Sequence, residues 1–195
     1  MPGSNPAGIP LGFGRMLASG GGRIAHFYRD KGQMLNVLGP YVAEGMRRGD
    51  HCIVASDKTA GNTLVRWLKS RGLIAKSPGK LNLIVPTFTQ GAGRIQAQLD
   101  VALKRHQRPG SFVRLAWDCG SMASQQSDAT DLLSFLSFYE DLSTSLGQDR
   151  LALSQLDLTS CRGDVVLDLL RVHGFCIMGE IPLRCSPDPT VMVVD

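Results

Sequence analysis

The residues best suited to chemistry lie in the stretch HCIVASDKTAGNTLVRWL, residues 51–68. A short apolar run is followed by SDKTAGNT and then by a helical pattern. This order of strand, tight loop and helix is the setting of a nucleotide-binding P-loop, whose pattern is G-x-x-x-x-G-K-[ST]. Gly61 and Thr63 match the pattern, whereas Ser56 replaces the first glycine and Asn62 replaces the lysine.

The matching positions predict part of the P-loop chemistry. In a working P-loop, backbone N–H groups hold the phosphates, the lysine neutralises their charge and the hydroxyl binds Mg²⁺. Gly61 can supply the close backbone approach and Thr63 the hydroxyl, but Asn62 cannot supply the charge. We therefore interpret residues 56–63 as a phosphate loop that keeps part of its geometry and has lost its electrostatics.

The remaining polar residues of this segment allow two interpretations. Lys58 could turn toward a bound anion, although the neighbouring Asp57 offsets part of its charge. Alternatively, Asp57 and Thr59 simply cap the helix that follows.

A second candidate site residue is Asp118, which ends the apolar run FVRLAWD. A carboxylate at the end of such a strand is where P-loop proteins hold their magnesium ion. Arg114 interrupts the same run, and an arginine is costly to bury unpaired. It either meets an anionic ligand in a pocket or pairs with a carboxylate such as Glu140 or Asp157.

Other candidates flank predicted strands. His26 and Tyr28 precede the first helix and could line a small-molecule pocket, or could form an apolar cap on that helix. Trp117 ends the third strand of the ordered region and is either a core residue or a ligand contact. Gln155 and Asp157 alternate with leucines near the end of a strand, which favours the binding crevice of an open α/β sheet.

Composition sets bounds on the class of protein. The chain has 195 residues, of which 43% are hydrophobic, and this suits one α/β domain. Its formal charge is +4, but Lys and Arg are spread along the chain, which argues against nucleic acid as a direct partner. The five cysteines form no CxxC pair, so we expect reduced thiols and no metal site.

The sequence lacks the signals of several other classes. It has no apolar run of about eighteen residues and no charged start followed by an apolar core, so we expect a cytoplasmic protein with no membrane contact. It also lacks H-E-x-x-H and a Ser, His and Asp trio in a nucleophile elbow. We therefore expect no catalytic residues.

The pattern of elements predicts the fold. Residues 1–22 are rich in Gly, Pro and Ser and are expected to be flexible, with a single domain over residues 23–195. Alternating strands and helices predict an α/β fold with a mostly parallel central sheet, helices on both faces and an antiparallel pair at the end. The predicted helices are 34–47, 62–70, 91–106, 128–146 and 165–173, and the predicted strands are 51–55, 81–86, 111–117, 150–158, 175–181 and 191–194.

Three segments together resemble a known family. HFYRDKGQMLNVLGPYVAEGMRRGDHCIVAS, SFVRLAWDCGSM, and RLALSQLDL leading to LLRVHGFCIMGEI are similar to the MEDS domain, the sensory domain of methanogens, methylotrophs and the regulator DcmR. The likeness covers about residues 23–182. It implies the fold of the KaiC and RecA ATPases, usually without a working Walker motif. It also implies a role in sensing or regulation.

The resemblance and the altered loop together predict a non-catalytic module. We expect it to bind a small-molecule effector or a signalling protein in signal transduction or transcriptional control, with no cofactor. We also consider a homo-oligomer, because RecA-like folds commonly associate with copies of themselves. The alternative is an ATP- and magnesium-binding RecA/KaiC-like NTPase with a deviant loop, in which Lys58 or an arginine of a neighbouring subunit supplies the missing charge.

Overall fold

The computed structural model describes residues 8–76, 79–85, 92–106, 112–118, 147, 149–161, 163–184 and 191–193. The predicted helix at 128–146 lies outside these residues. The elements in chain order are β1 (Ile9–Pro10), β2 (Met16–Ala18), β3 (Gly22–Tyr28), α1 (Lys31–Arg48), β4 (His51–Ala55), α2 (Lys58–Ser70), α3 (Leu73–Lys76), β5 (Lys80–Ile84), α4 (Ala92–His106), β6 (Val113–Asp118), β7 (Arg150–Asp157), α5 (Gly163–Val172), β8 (Phe175–Met178), β9 (Ile181–Arg184) and β10 (Val191–Val193).

A seven-stranded sheet forms the centre, with the strand order β5-β4-β6-β7-β3-β8-β9. All neighbouring strands are parallel except β8 and β9, which are antiparallel. Leu38 of α1 and Leu64 of α2 pack on one face, whereas Leu99 of α4 and Leu169 of α5 pack on the other. The predicted three-layer α/β fold with a mostly parallel sheet is confirmed.

The apolar composition of the central strands explains why they are buried. All residues of β6 and all but the last of β7 are buried, as expected for parallel strands that are covered on both faces.

The first helix is delimited by its caps, because Asp30 accepts a hydrogen bond from the Gln33 N–H and Gly49 adopts the left-handed conformation with φ 87°. No helix among the described residues is both long enough and apolar enough to span a bilayer.

The prediction of a flexible segment over residues 1–22 is wrong for residues 8–22. β1 and β2 pair with each other and with β10 in a three-stranded sheet. Leu11 and Met16 are buried in the same core cluster as α1. The glycines mark tight backbone geometry, because Gly12 has φ +91° and a Cβ there would lie 2.2 Å from the Pro40 carbonyl oxygen.

The end of the chain also differs from the prediction. The antiparallel partner of β8 is β9, over Ile181–Arg184, of which the predicted strands covered only Ile181. The strand predicted at 191–194 corresponds to β10, which pairs with β2 in the small sheet. Pairing between segments so distant in sequence cannot be read from local patterns.

A buried arginine connects the small sheet to the large one. Arg114 of β6 is 1% exposed, and its Nε lies 2.8 Å from Asp50 Oδ2. Its terminal nitrogens donate to the backbone carbonyls of Pro10 at 2.7 Å and of Tyr41 at 3.4 Å. Gly45 leaves room for the arginine, because a Cβ there would lie 2.5 Å from Arg114 Cδ. The guanidinium thus joins β6, α1, the start of β4 and the amino-terminal segment.

Arg114→Met is expected to lower the free energy of unfolding by about 3–5 kcal/mol, because it leaves the Asp50 carboxylate buried without its closest cation. The matched control Arg47→Met removes an exposed ion pair with Glu44 and is expected to cost less than about 1 kcal/mol. Urea unfolding followed by circular dichroism measures both variants. Equal losses in the two would contradict the role assigned to Arg114.

Candidate functional site

The neighbouring strands β3 and β7 send the chain to opposite faces of the sheet at their carboxyl ends. β3 leads into α1 on one face, and β7 leads into α5 on the other. In an open α/β sheet, ligands bind in the crevice at the strand ends where the connections change direction. The carboxyl ends of β3, β7 and the next strand, β6, therefore frame the candidate site, called here the carboxyl-edge crevice.

A buried hydrogen-bond network lies beneath this crevice. The side-chain nitrogen of Gln155 donates to His26 Nδ1 at 3.0 Å and to the Met34 carbonyl at 3.3 Å. Because Nδ1 accepts, His26 Nε2 carries the proton and donates to the Gly179 carbonyl at 3.0 Å. The network joins β3, β7, the first turn of α1 and the turn between β8 and β9.

The two buried histidines are neutral at pH 7. Burial lowers the pKa of His26 from 6.5 to about 4, against the opposing effect of its bond to the Gly179 carbonyl. Burial likewise lowers the pKa of His173 to about 4. His173 Nδ1 donates to the Leu169 carbonyl at 2.8 Å, so its Nε2 accepts from the Ser154 hydroxyl at 2.9 Å.

Tyr28 and Asp118 meet across the end of β7. The Tyr28 hydroxyl donates to Asp118 Oδ1 at 3.3 Å, and both side chains are buried. Asp157 ends β7 in register with Tyr28, and its Oδ1 accepts from the N–H and hydroxyl of Thr159 at 2.8 and 2.6 Å. The structure thus brings His26, Tyr28, Gln155, Asp118 and Asp157 to one edge. The sequence predicted strand ends at Asp118, Gln155 and Asp157, and it gave this edge as one of two alternatives for His26 and Tyr28.

The segment 56–63 turns from strand to helix, as the sequence predicted, but the turn is shorter than that of a phosphate loop. α2 begins at Lys58, so only Ser56 and Asp57 separate it from β4. Thr59 and the residues that follow are helical. A phosphate loop needs several residues of irregular backbone between strand and helix to surround its ligand. The helix pattern that begins at Asn62 in the sequence starts one turn earlier because Asp57 caps it.

The residues that matched the P-loop pattern lie in the first turns of α2. A Cβ on Gly61 would lie 3.4 Å from Ser56 Oγ, which is an ordinary van der Waals distance, so packing against the end of β4 does not require a glycine. The Thr63 hydroxyl donates to the Thr59 carbonyl one turn earlier, at 2.8 Å. Asn62 is exposed on the helix surface. The Thr63 hydroxyl thus has a structural role that needs no phosphate.

Carboxylates of the chain itself occupy the amino termini of α1 and α2. Asp57 Oδ1 accepts from the N–H groups of Thr59 and Ala60 at 2.6 and 3.0 Å. Asp30 Oδ1 accepts from the Gln33 N–H at 2.9 Å. These are the N–H groups that would bind a phosphate at a helix amino terminus. An incoming phosphate would have to displace a carboxylate and would be repelled by it.

Two predicted site residues have structural positions instead. Arg114 pairs with Asp50 near the amino end of β6, so the ion-pair interpretation holds with a different partner. The suggested partner Asp157 is at the opposite edge, and Glu140 lies outside the described residues. Trp117 is 3% exposed and belongs to the core beneath α4 and α5, in agreement with the packing interpretation.

Sequence reasoning missed the residues that close the junction between β3 and α1. Asp30 caps the helix, and Gln33 Oε1 accepts from the Arg29 N–H at 2.9 Å. The spacing D-x-x-Q before an apolar periodic segment is a helix-start signal that was available in the sequence. The backbone carbonyls of Met34 and Gly179, which complete the His26 network, leave no such signal.

Solved structures place this architecture in a known class. A KaiC-like protein from the hyperthermophilic archaeon Pyrococcus horikoshii has a TM-score of 0.62 at 12% identity, covering 88% of this chain and 78% of that one. An ATPase of the type III secretion system of pathogenic bacteria has a TM-score of 0.57 at 15% identity, and the match covers 87% of this chain and 55% of that one. The flagellar accessory protein FlaH from Methanocaldococcus jannaschii has a TM-score of 0.53 at 6% identity, and the match covers 83% of this chain and 72% of that one. The fold is that of the KaiC and RecA-like ATPases.

The family follows from the sequence. The profile of the MEDS family, the methanogen/methylotroph DcmR sensory domain, matches residues 24–174. The chain belongs to this family, as the resemblance predicted, and the family is one of sensory modules. No curated protein matches the chain in a direct sequence comparison.

Asp57→Ala is expected to lower the free energy of unfolding by about 1 kcal/mol, because two N–H groups of α2 lose their acceptor. Asp57→Asn keeps an acceptor and is expected to cost much less. Chemical denaturation measures both, with the exposed Asn62→Ala as the control in the same helix. A loss in Asn62→Ala as large as in Asp57→Ala would contradict the capping role.

The buried histidines predict a dependence of stability on pH. The unfolded chain takes up a proton at each histidine near pH 6.5, whereas the native His26 and His173 do so only near pH 4. Stability therefore falls as the pH drops from about 6.5 toward 4, by up to about 1.4 kcal/mol per pH unit for each histidine. Urea unfolding between pH 7 and 5 measures this slope. His26→Gln should make it shallower, and parallel profiles for variant and wild type would refute the assignment.

Proposed function

We propose that this chain is a non-catalytic sensory or regulatory module that binds a small molecule or a partner protein at the carboxyl-edge crevice, in signal transduction or transcriptional control. Its membership of a sensory family supports the general role. The KaiC-like fold accounts for the position of the crevice, since such sheets bind ligands at their carboxyl edge. On this proposal, the chain differs from the ATPases of similar fold in that it does not bind nucleotide.

The proposal rests on one observation, which is that carboxylates of the chain already cap the helix amino termini. Asp30 and Asp57 occupy them with carboxylates, and each junction between strand and helix is a short turn. Asp118 and Asp157 add two carboxylates at the same edge. A triphosphate would meet like charges rather than converging N–H groups. The crevice is therefore better suited to a neutral or cationic ligand.

The titratable groups near the crevice support a non-catalytic role. Burial raises the pKa of the Cys161 thiol to about 11, and the carboxylate of Asp157 adds to this shift. A thiol that stays protonated is a poor nucleophile. His26 is neutral and its two ring nitrogens are already hydrogen-bonded to Gln155 and Gly179, so it is not placed to act as a general base.

The same contacts offer a route by which binding could be reported. The ring centroids of Tyr28 and His26 are 5.8 Å apart. His26 also donates a hydrogen bond to the Gly179 carbonyl, which holds the turn between β8 and β9. The Gly179 N–H in turn donates to the Phe27 carbonyl at 2.7 Å. A ligand that moves Tyr28 would therefore alter the support of that turn.

The first experiment is a thermal-shift titration with magnesium ATP, ADP and sulfate. A ligand at one hundred times its dissociation constant adds about 2.7 kcal/mol, which raises Tm by about 5–10 °C in a domain of this size. We expect no saturating shift up to millimolar nucleotide. A saturating shift with ATP that is absent with sulfate and lost in Asp118→Asn would overturn the proposal in favour of the NTPase alternative.

The second arm screens neutral and cationic organic molecules by the same method. Hits that bind at the crevice are expected to weaken in Tyr28→Phe, which removes the hydroxyl bonded to Asp118. Tyr41→Phe is the matched control, because it removes a buried hydroxyl that donates to the Leu115 carbonyl away from this edge. Hydrogen exchange at the Gly179 amide should change on binding. Hits that respond equally to both variants would place the site elsewhere.

A further inference from the structure

The acidic residues of this chain are distributed unevenly. Lys and Arg occur along the whole sequence, but between Asp57 and Asp100 there are seven of them and no Asp or Glu. The formal charge of this segment is therefore +7, whereas that of the whole chain is +4. The rest of the chain is net negative. The excess positive charge of the protein is thus concentrated in one segment, and a surface of one sign attracts partners of the opposite sign.

The solvent side of α2 displays much of this charge. Lys58, Arg66 and Lys69 are exposed, and the exposed Asn62 lies between the first two. Their spacing of four, four and three residues places them along one side of the helix. The buried residues of α2 lie on the other side, against the sheet. These four residues and the exposed Arg71, at the carboxyl end of the helix, are called here the basic face.

The charge of the basic face is offset only in part within the described part of the chain. The nearby carboxylates of Glu44 and Asp50 are ion-paired with arginines outside α2. Asp57 adjoins Lys58 and offsets some of its charge, while its Oδ1 accepts from N–H groups at the start of the helix. The negative end of the helix dipole, near Lys69, offsets about half of one charge. The remaining excess is centred on the carboxyl-terminal half of α2.

Two cations of this half lie close to each other. Arg66 and Lys69 are three residues apart, so they are neighbours on the helix surface, where like charges repel. The Arg66 guanidinium donates to the Thr63 hydroxyl at 3.3 Å, and this acceptor is neutral. A carboxylate supplied by another molecule would relieve the repulsion and accept hydrogen bonds from both side chains.

A third cation is held in position on an aromatic ring. The guanidinium carbon of Arg71 lies 3.7 Å from the centroid of the Trp67 ring, and its Nη1 donates to the Ser70 hydroxyl at 3.3 Å. The ring packs on α1, where a Cβ on Gly39 would lie only 2.9 Å from Trp67 Cε2. A cation that is fixed in this way loses little freedom on binding. Tryptophan and arginine are also among the residues that contribute most to protein interfaces.

The same contacts favour a protein partner over a nucleic acid or a membrane. The ring of Trp67 is covered by Arg71 and packs on Gly39, so it is not available to stack on a base. The structure describes every residue of α2, and none of its large apolar side chains is among the exposed ones. A helix that lies in a membrane surface needs such side chains.

We propose that the basic face docks an acidic segment of a partner protein, whose carboxylates bind Arg66, Lys69 and Arg71. The proposal goes beyond the sensory function assigned to the carboxyl-edge crevice. The basic face lies on the outer side of α2 and shares no residue with that crevice, so the two sites can be tested separately.

The test is a titration of the whole chain with a helical, alanine-based peptide that carries glutamates on one side. Emission of Trp67 reports binding, because the other tryptophan, Trp117, is buried. Arg66→Gln and Lys69→Gln are each expected to weaken binding about threefold. The matched control is Lys104→Gln, which removes an exposed lysine from α4 on the opposite face of the sheet. It should change binding by less than about 1.5-fold.

Two further comparisons test the chemistry of the partner. A peptide with glutamine in place of glutamate should bind at least about tenfold more weakly. Raising the NaCl concentration from about 50 to about 300 mM should weaken binding of the acidic peptide, because exposed charges are screened. Amide signals of residues 66–72 should move on binding, and Tyr28→Phe should bind the peptide as the wild type does.

Several results would overturn the proposal. These are equal binding of the two peptides, equal effects of Lys69→Gln and Lys104→Gln, or no binding at about millimolar peptide. Amide shifts confined to Tyr28 and Gly179 would place the peptide at the carboxyl-edge crevice instead. Tighter binding of a DNA duplex or of anionic phospholipid vesicles at the same salt concentration would identify the wrong class of partner.

Discussion

The buried ion pair between Arg114 and Asp50 is the constraint on which the arrangement of the amino edge depends. A guanidinium removed from water is tolerated only when its N–H groups have acceptors. Here the acceptors come from Asp50, the Tyr41 carbonyl and the Pro10 carbonyl. One side chain thus requires the amino-terminal segment, α1 and the start of β4 to meet at β6. An arrangement that separated any of them would remove an acceptor from the buried guanidinium.

The two edges of the large sheet have opposite chemistry. In β-α-β units the helix amino termini lie at the carboxyl edge, and there Asp30 and Asp57 complement the positive ends of the helix dipoles. Arg47 and Arg48 complement the negative end of α1 at the other edge. In an ATPase of this fold the positive helix ends would be available to phosphates. In this chain the carboxylates of Asp30 and Asp57 occupy these helix ends. The residues that start the helices therefore also disfavour a phosphate ligand at this edge.

The short turn between β4 and α2 has a definite physical cause. Asp57 can belong to a loop or cap a helix, and the sequence pattern alone gives both interpretations equal standing. Capping adds two hydrogen bonds and extends α2 by one turn, so the structure takes the cap. The Thr63 hydroxyl then bonds to the preceding turn of the same helix. A motif that matches at some positions has no meaning until the backbone around it is known.

The amino-acid sequence by itself determined the fold class, the central strands β4, β6 and β7, and the position of Asp118, Gln155 and Asp157 at one edge. It did so because periodicity and strand ends are local properties, and parallel strands bring their ends to the same side. It did not predict the central strand β3, which carries His26 and Tyr28.

Only the tertiary structure decided the partner of Arg114, the pairing of β2 with β10, and the contact of His26 with Gly179. These contacts join residues far apart in sequence, and several use backbone carbonyls, which every residue carries. Long-range pairing through groups common to all residues leaves no mark in the pattern of side chains, so it emerges only when the chain is folded.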